Sequence, residues 1–120
     1  MNEQRMALDV SKRHPAAHIV RIRQGDENGT TLSVAIERNG QPLDLTGLGA
    51  TLVAKLPDGT LYEVGGEVLG SIAEFGIDET EAAEAVGTAE LAYVEITGAD
   101  MVCSTQAFTL VILPAGRSLE

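Results

Sequence analysis

Residues 23–40, RQGDENGTTLSVAIERNG, contain in succession a polar bend, a strand and a tight turn. Within them apolar and polar residues alternate, which places Leu32, Val34 and Ile36 together on one face of a half-buried strand. The pair Asn39-Gly40 follows directly, and both residues tolerate the positive φ that a two-residue hairpin turn requires. This stretch predicts a β-protein whose strands are joined by short turns.

The polar cluster at the start of the stretch has two interpretations. Gly25 permits a sharp bend between two strands, Asp26 can accept a hydrogen bond from the backbone two residues on, and Arg23 ends the preceding strand. We interpret Arg23-Gln24-Gly25-Asp26 as architectural, because the other polar groups nearby belong to the same turn. The alternative is that Arg23 and Asp26 dock a partner.

Strand-like segments and turn residues alternate along the rest of the chain at the short intervals typical of a sandwich or barrel. Pro57-Asp58-Gly59 supplies the turn of a hairpin predicted over residues 50–64. The acidic, alanine-rich residues 78–86 are the one stretch with a helical pattern, and they suffice for only about one or two turns. The predicted strands lie at residues 16–23, 30–38, 49–56, 67–75, 88–97 and 101–113.

The length of 120 residues fits one domain with one hydrophobic core. We expect a flexible or partner-dependent leader at residues 1–14, because its apolar residues alternate weakly and no turn ties it to the first strand. A single sandwich domain is expected at residues 15–114, followed by a tail at residues 115–120. We exclude Leu119 and Glu120 from the fold, because a terminal Leu-Glu is typical of residues added by an expression vector.

Charge and aromatic content exclude several classes of function. The net charge is −10, and no Lys or Arg occurs between Leu56 and Gly116, so the chain repels phosphate backbones and nucleic acid is not an expected partner. Aromatic residues make up 3% of the chain, which is too few for base-stacking or sugar-stacking surfaces. No apolar stretch reaches the length of a membrane span, so no membrane partner is expected. The single cysteine, Cys103, favours folding in a reducing compartment such as the cytosol.

No catalytic, cofactor-binding or metal site is predicted. His14 and His18 are separated by Pro15, which breaks any helix that would bring them to one face. Cys103 has no evident His partner, and the glycine pairs precede strands rather than the helix N-termini that bind phosphates. The chain is therefore not expected to be an enzyme or to hold a cofactor.

A set of turn and strand motifs runs in a distinctive order from about Ala17 to Leu113. Its residues are Arg23, Gln24, Gly25, Asp26, Asn39, Gly40, Asp44, Gly47, Pro57, Asp58, Gly59, Ser104, Thr105 and Phe108. In order and spacing the set resembles the N-terminal domain of phage baseplate upper proteins. The resemblance implies an all-β, immunoglobulin-like antiparallel β-sandwich of about seven or eight strands, with one short helical segment near residues 78–86. It also implies that the domain has no catalytic residues.

The function expected from this resemblance is that of a virion structural protein. The domain would act as an adaptor that anchors a receptor-binding or fibre protein to the tail baseplate through contacts with other virion proteins. We expect it to be located in the virion, and in the host cytoplasm during assembly. The isolated domain is expected to be monomeric, and the full-length assembly trimeric. The alternative is a carbohydrate-binding module for host-surface glycans, in which acidic side chains such as Asp58 or Asp100 would bond sugar hydroxyls.

Overall fold

The computed structural model describes residues 2–23, 30–77, 86–89 and 91–113, with the backbone alone at Asn2 and Arg23. This part of the chain is all-β, as predicted, with twelve strands and no helix. The helical segment predicted near residues 78–86 falls on residues of which only Val86 is described. The strands are β1 (Asn2–Asp9), β2 (Ile19–Arg23), β3 (Thr30–Arg38), β4 (Gln41–Pro42), β5 (Gly49–Lys55), β6 (Leu61–Gly65), β7 (Glu67–Leu69), β8 (Ile72–Ile77), β9 (Gly87–Thr88), β10 (Leu91–Gly98), β11 (Met101–Ser104) and β12 (Thr109–Leu113).

Three sheets surround the hydrophobic core. The first sheet has five strands, in the order β1-β3-β8-β7 with β4 paired to the end of β3. The second sheet has four strands in the order β11-β10-β5-β6, and the third has three in the order β2-β12-β9. Apolar side chains from all three sheets form one buried cluster, so the fold is sandwich-like. Its immunoglobulin-like detail stays a prediction.

Strand β3 is built as its sequence predicts. Leu32, Val34 and Ile36 are fully buried, and the residues between them are partly exposed. Opposite them in β8, Phe75 and Ala73 are also fully buried and pair with Leu32 and Val34. Burial of each large aliphatic side chain contributes about 1.5–3 kcal/mol to folding, so this pair of strands is a principal source of core stability.

The expectation of a flexible leader at residues 1–14 is wrong for residues 2–9, which form strand β1. This strand pairs with β3 along its whole length, and it buries Met6 and Leu8 in the core. The expectation rested on the absence of a turn between this segment and the next strand, whereas β1 is held by pairing with β3, which is distant in the chain. The folded domain therefore begins before residue 15.

The expectation of purely antiparallel sheets is wrong, because two pairs of strands are parallel. Strand β1 runs parallel to β3, and β2 runs parallel to β12. Parallel neighbours require a long connection, and the chain between β1 and β3 provides one by passing through β2 of the third sheet. The described residues also contain more strands than the expected seven or eight, because several strands are short.

Three segments predicted as single strands are each divided in two. Residues 88–97 contain the end of β9 and most of β10, which belong to different sheets. Residues 67–75 contain the hairpin of β7 and β8, whose turn is made by Gly70 with φ 64°. Residues 101–113 contain β11 and β12, which belong to different sheets. Apolar residues occur on both sides of each break, so hydrophobicity alone does not reveal the breaks.

Candidate functional site

The carboxylate of Asp9 braces the tight turn at Asn39 and Gly40. These two residues have φ values of 52° and 80°, the conformation that the sequence predicts. The backbone N–H of Gly40 donates to Asp9 Oδ2 at 2.8 Å, and that of Asn39 donates to Oδ1 at 3.2 Å. Ser11 donates to Oδ1 through its N–H at 2.8 Å and through its hydroxyl at 2.6 Å. Asp9 is 1% exposed, so the turn is tied to β1 by a buried charge.

These hydrogen bonds hold the pKa of the Asp9 carboxyl far below its ordinary value. The Ser11 hydroxyl contributes most, and the N–H groups of Ser11, Gly40 and Asn39 add to it, while desolvation acts in the opposite direction. A carboxylate that stays ionised in this way does not exchange protons near neutral pH. Its role here is to stabilise the turn.

Gln106 extends this polar cluster to the end of the second sheet. Its side-chain Oε1 accepts from the backbone N–H of Asp9 at 3.0 Å. Its backbone N–H donates to the Asp9 carbonyl, also at 3.0 Å. Its Nε2 donates to the carbonyl of His14 at 3.0 Å. Gln106 is 7% exposed, so a buried amide joins residues 9–14 to a segment distant in the chain.

The motif residues Ser104, Thr105 and Phe108 form the crossover between the second and third sheets. Thr105 Oγ1 accepts from the N–H of Val94 at 3.0 Å and donates to the carbonyl of Gln106 at 2.9 Å. The Thr105 hydroxyl thus accepts the hydrogen bond from β10 that a backbone carbonyl of a neighbouring strand would otherwise accept. Ser104 ends β11 and is exposed, whereas Phe108 is 5% exposed and belongs to the core.

Two further motif turns carry the same kind of local brace. Asp44 Oδ1 accepts from the hydroxyl of Thr46 at 2.7 Å and from its N–H at 3.0 Å. Asp58 Oδ1 accepts from the N–H of Thr60 at 2.9 Å. The pKa of each carboxyl is lowered, mainly by the Thr46 hydroxyl for Asp44 and by the Thr60 N–H for Asp58. The glycines that complete these turns have φ values of 80° at Gly47 and 89° at Gly59.

The motif residues within the described part of the chain do not converge on one site. Pro57 lies in the turn of the β5–β6 hairpin, close to Gly87 of β9. A Cβ added at Gly87 would be 3.6 Å from the Pro57 ring. Arg23 pairs with Leu113 at the end of β2. Gln24, Gly25 and Asp26 lie outside the described residues, so both interpretations of that cluster stay predictions. The motif is best understood as a set of separate turns.

The sequence interpretation missed Asp9, Ser11 and Gln106. The first two lie in the expected leader, and the third lies inside an expected strand. One signal was available, because Asp9 and Ser11 have the Asp-x-Ser/Thr spacing that also occurs at Asp44 and Asp58. That spacing lets a carboxylate bond the N–H and hydroxyl two residues on.

The outer face of the first sheet, opposite the core, presents two aligned rows of side chains. We call Ala7, Ala35, Ile72 and Leu69 the apolar row, and Arg5, Ser33, Glu74 and Glu67 the charged row; each row crosses β1, β3, β8 and β7 in register. Small side chains in the middle of the face leave a groove of about 510 Å³, lined by Leu69, Ile72 and the charged row together with Glu3 and Val68. This groove is a concave surface on the outside of the described structure.

Other ligand chemistries find little support among the described side chains. Phe75 and Phe108 are buried in the core, and Tyr62 and Tyr93 are only partly exposed, so few rings are available to stack on a sugar. The described residues contain no group of three or more His, Cys, Asp or Glu side chains placed to hold a metal ion. In the same part of the chain, no helix is long and apolar enough to cross a membrane.

Comparisons with known proteins place this geometry among phage proteins. A family model described as the BppU N-terminal domain matches residues 2–119. Among solved structures, the N-terminal domain of phage TP901-1 ORF48 is similar, with a TM-score of 0.76 and 20% sequence identity. The alignment covers 94% of this chain and 99% of that one, and at this identity it establishes the fold. No curated protein sequence matches the chain.

Proposed function

The chain belongs to the family of BppU N-terminal domains, and on that premise we propose that it is an adaptor that anchors a receptor-binding or fibre protein to the tail baseplate. The family is a phage baseplate domain family, so the chain is a virion structural domain that contacts other virion proteins. The anchoring role is the step that we add.

The observation that carries this proposal is the extent of the family match, from residue 2 to residue 119. The matched region includes β1 as well as the motif turns. Their polar groups bond each other, as in the Asp9 cluster, and so support a rigid frame. A rigid frame that leaves its outer sheet faces open is suited to holding partners in fixed positions.

We propose further that the domain works without catalysis or a cofactor, and that neither nucleic acid nor a membrane is its partner. The described carboxylates of the motif turns are ionised and engaged in hydrogen bonds, which favours a structural role. The isolated domain is then a monomer, and any trimer is formed by other parts of the assembly. It is located in the virion, after folding in the host cytoplasm.

The test is to purify particles of the phage that encodes the chain and to locate the protein on them. We expect it to copurify with tails in a fixed ratio to the major tail protein, and immunogold labelling to mark the baseplate. Deleting the gene should give tails without their fibres or receptor-binding proteins. Particles that lack the protein, or deletion particles with complete fibres, would contradict the anchoring role.

The same protein can be tested for the alternative function. Saturable binding of a host-surface saccharide, measured by titration calorimetry, would favour a carbohydrate-binding module. We expect no saturable binding, because both phenylalanines are buried and both tyrosines are only partly exposed, which leaves the described surface poor in stacking rings.

A further inference from the structure

We propose that the groove on the first sheet docks an extended segment of another virion protein, one that carries an apolar residue and a Lys or Arg two positions away. This inference rests on the proposed function and names the surface and the partner chemistry. It depends on three properties of the groove: exposed apolar area, unbalanced negative charge, and the spacing between the two.

The apolar row exposes two large apolar side chains, Leu69 and Ile72, to water. Leu69 is 82% exposed, more than any other large apolar side chain in the described part of the chain, and Ile72 beside it is 40% exposed. Ala7 and Ala35 continue the row across β1 and β3. An apolar strip of this kind on a concave face is typical of an interaction site.

The charged row leaves two carboxylates without a balancing cation. Glu3 and Arg5 form an ion pair, with 3.0 Å between Oε1 and Nη2. Glu67 and Glu74 are direct cross-strand partners on β7 and β8, and both are exposed. The described residues include no cation in ion-pair contact with either of them. Like charges placed opposite each other destabilise a strand pair, so this arrangement favours a cationic partner.

The charge also decides between possible occupants. A second copy of this chain would bring a net charge of −10 to an already acidic groove, so electrostatic repulsion opposes self-association there. A neutral saccharide would gain nothing from the negative potential. A basic segment gains attraction from Glu67 and Glu74 and contact with Leu69 at the same time.

The spacing of the two rows defines the partner's pattern. Leu69 and Glu67 are two residues apart on β7, and side chains on one face of a strand repeat every second residue. An extended segment running along β7 therefore places residues i and i+2 over Leu69 and Glu67. The matching pattern is an apolar residue and a basic residue separated by one position.

The test compares two charge reversals in the full-length protein, each carried by the phage that encodes it. Glu67→Lys with Glu74→Lys inverts the groove but keeps like charges opposed, so we expect an unchanged melting temperature. The matched control, Glu63→Lys with Glu95→Lys, changes the net charge equally on the outer face of the second sheet. Quantitative immunoblots of purified particles, referenced to the major tail protein, measure incorporation.

We expect the groove reversal to lower incorporation by about tenfold or more and the control to stay within about twofold of wild type. A second pair tests the apolar contribution: Leu69→Ser should lower incorporation, whereas Leu61→Ser, an exposed leucine on the second sheet, should not. Normal incorporation of either groove variant, or an equal loss in a groove variant and its control, would overturn the proposal while leaving the adaptor role intact. Absence of the wild-type protein from particles would instead overturn the proposed function.

Discussion

At the scale of single residues, Asp9 holds several hydrogen-bond donors at once. Its carboxylate accepts hydrogen bonds from Ser11, Asn39 and Gly40, and its backbone pairs with Gln106. A carboxylate can satisfy all of these donors because it offers about four acceptor positions and no proton of its own. No neutral side chain of the same size has this property.

Asp9→Asn should therefore lower the melting temperature at neutral pH by several degrees. The amide replaces one of the two carboxylate oxygens, which accept from Gly40 and from Ser11, so at least one N–H group is left without an acceptor. Thermal unfolding monitored by circular dichroism measures the effect. Asp100→Asn, at an exposed turn position, is the control and should leave the melting temperature unchanged.

The pH dependence of that difference has a defined sign. The pKa of Asp9 is lowered in the folded state, so its stabilising effect is fully present above the unfolded pKa of about 4 and is lost as the pH falls below it. The melting temperatures of wild type and Asp9→Asn should thus converge in acid. A difference that stays constant from pH 7 to pH 3 would show that the charge of Asp9 is not what stabilises the turn.

Gly66 is required for a different physical reason, namely space. A Cβ added there would lie 2.6 Å from the ring of Phe75 and 2.8 Å from the carbonyl oxygen of Glu74. We expect Gly66→Ala to reduce the free energy of unfolding by about 1–3 kcal/mol, the usual cost of overpacking. Gly65→Ala is the matched control, because an added Cβ at Gly65 meets nothing within 4 Å. Chemical denaturation of both variants tests this, and equal stabilities would refute the steric explanation.

At the scale of elements, strand β1 is an integral part of the first sheet. Leu8 is fully buried, and Leu8→Ala should reduce the free energy of unfolding by about 2–5 kcal/mol. Ala7→Ser changes a neighbouring exposed residue of β1 and should have little effect. If both substitutions leave the denaturation midpoint unchanged, β1 does not stabilise the fold.

The elements that could be predicted from the sequence are those specified locally. Strand β3 has a strict alternation, and the turns at Asn39 and Asp58 contain residues that favour them in any protein. The position of β1 could not be predicted, because its partner β3 lies more than twenty residues away and no local pattern specifies the pairing. The break after Ser104 was missed for a related reason, since Thr105 replaces a ladder hydrogen bond with its own hydroxyl.

The groove illustrates the same limit for the candidate site. Glu67 and Glu74 are seven positions apart in the sequence and become direct neighbours only through the turn at Gly70. Ala7 and Ala35 join the apolar row through the unforeseen pairing of β1. Turn motifs could be recognised from residue types alone, whereas a surface formed by four strands requires their register.

At the scale of the whole molecule, the last described strand has an unusual mechanical setting. Strand β12 is the central strand of the third sheet, paired with β2 on one side and β9 on the other. A force applied at Leu113 along the axis of β12 would act across the direction of the hydrogen bonds to both neighbours. These bonds must then share the load and break together.

Single-molecule pulling between handles at positions 72 and 113 would measure this resistance. We expect one abrupt rupture at high force, and a gradual extension at low force would contradict it. Residue 72 lies in the groove and residue 113 at the end of β12, so the pull spans the first and third sheets. Because it is paired on both sides, β12 has the geometry of a shear joint, in which a pull along the strand is resisted by several hydrogen bonds at once.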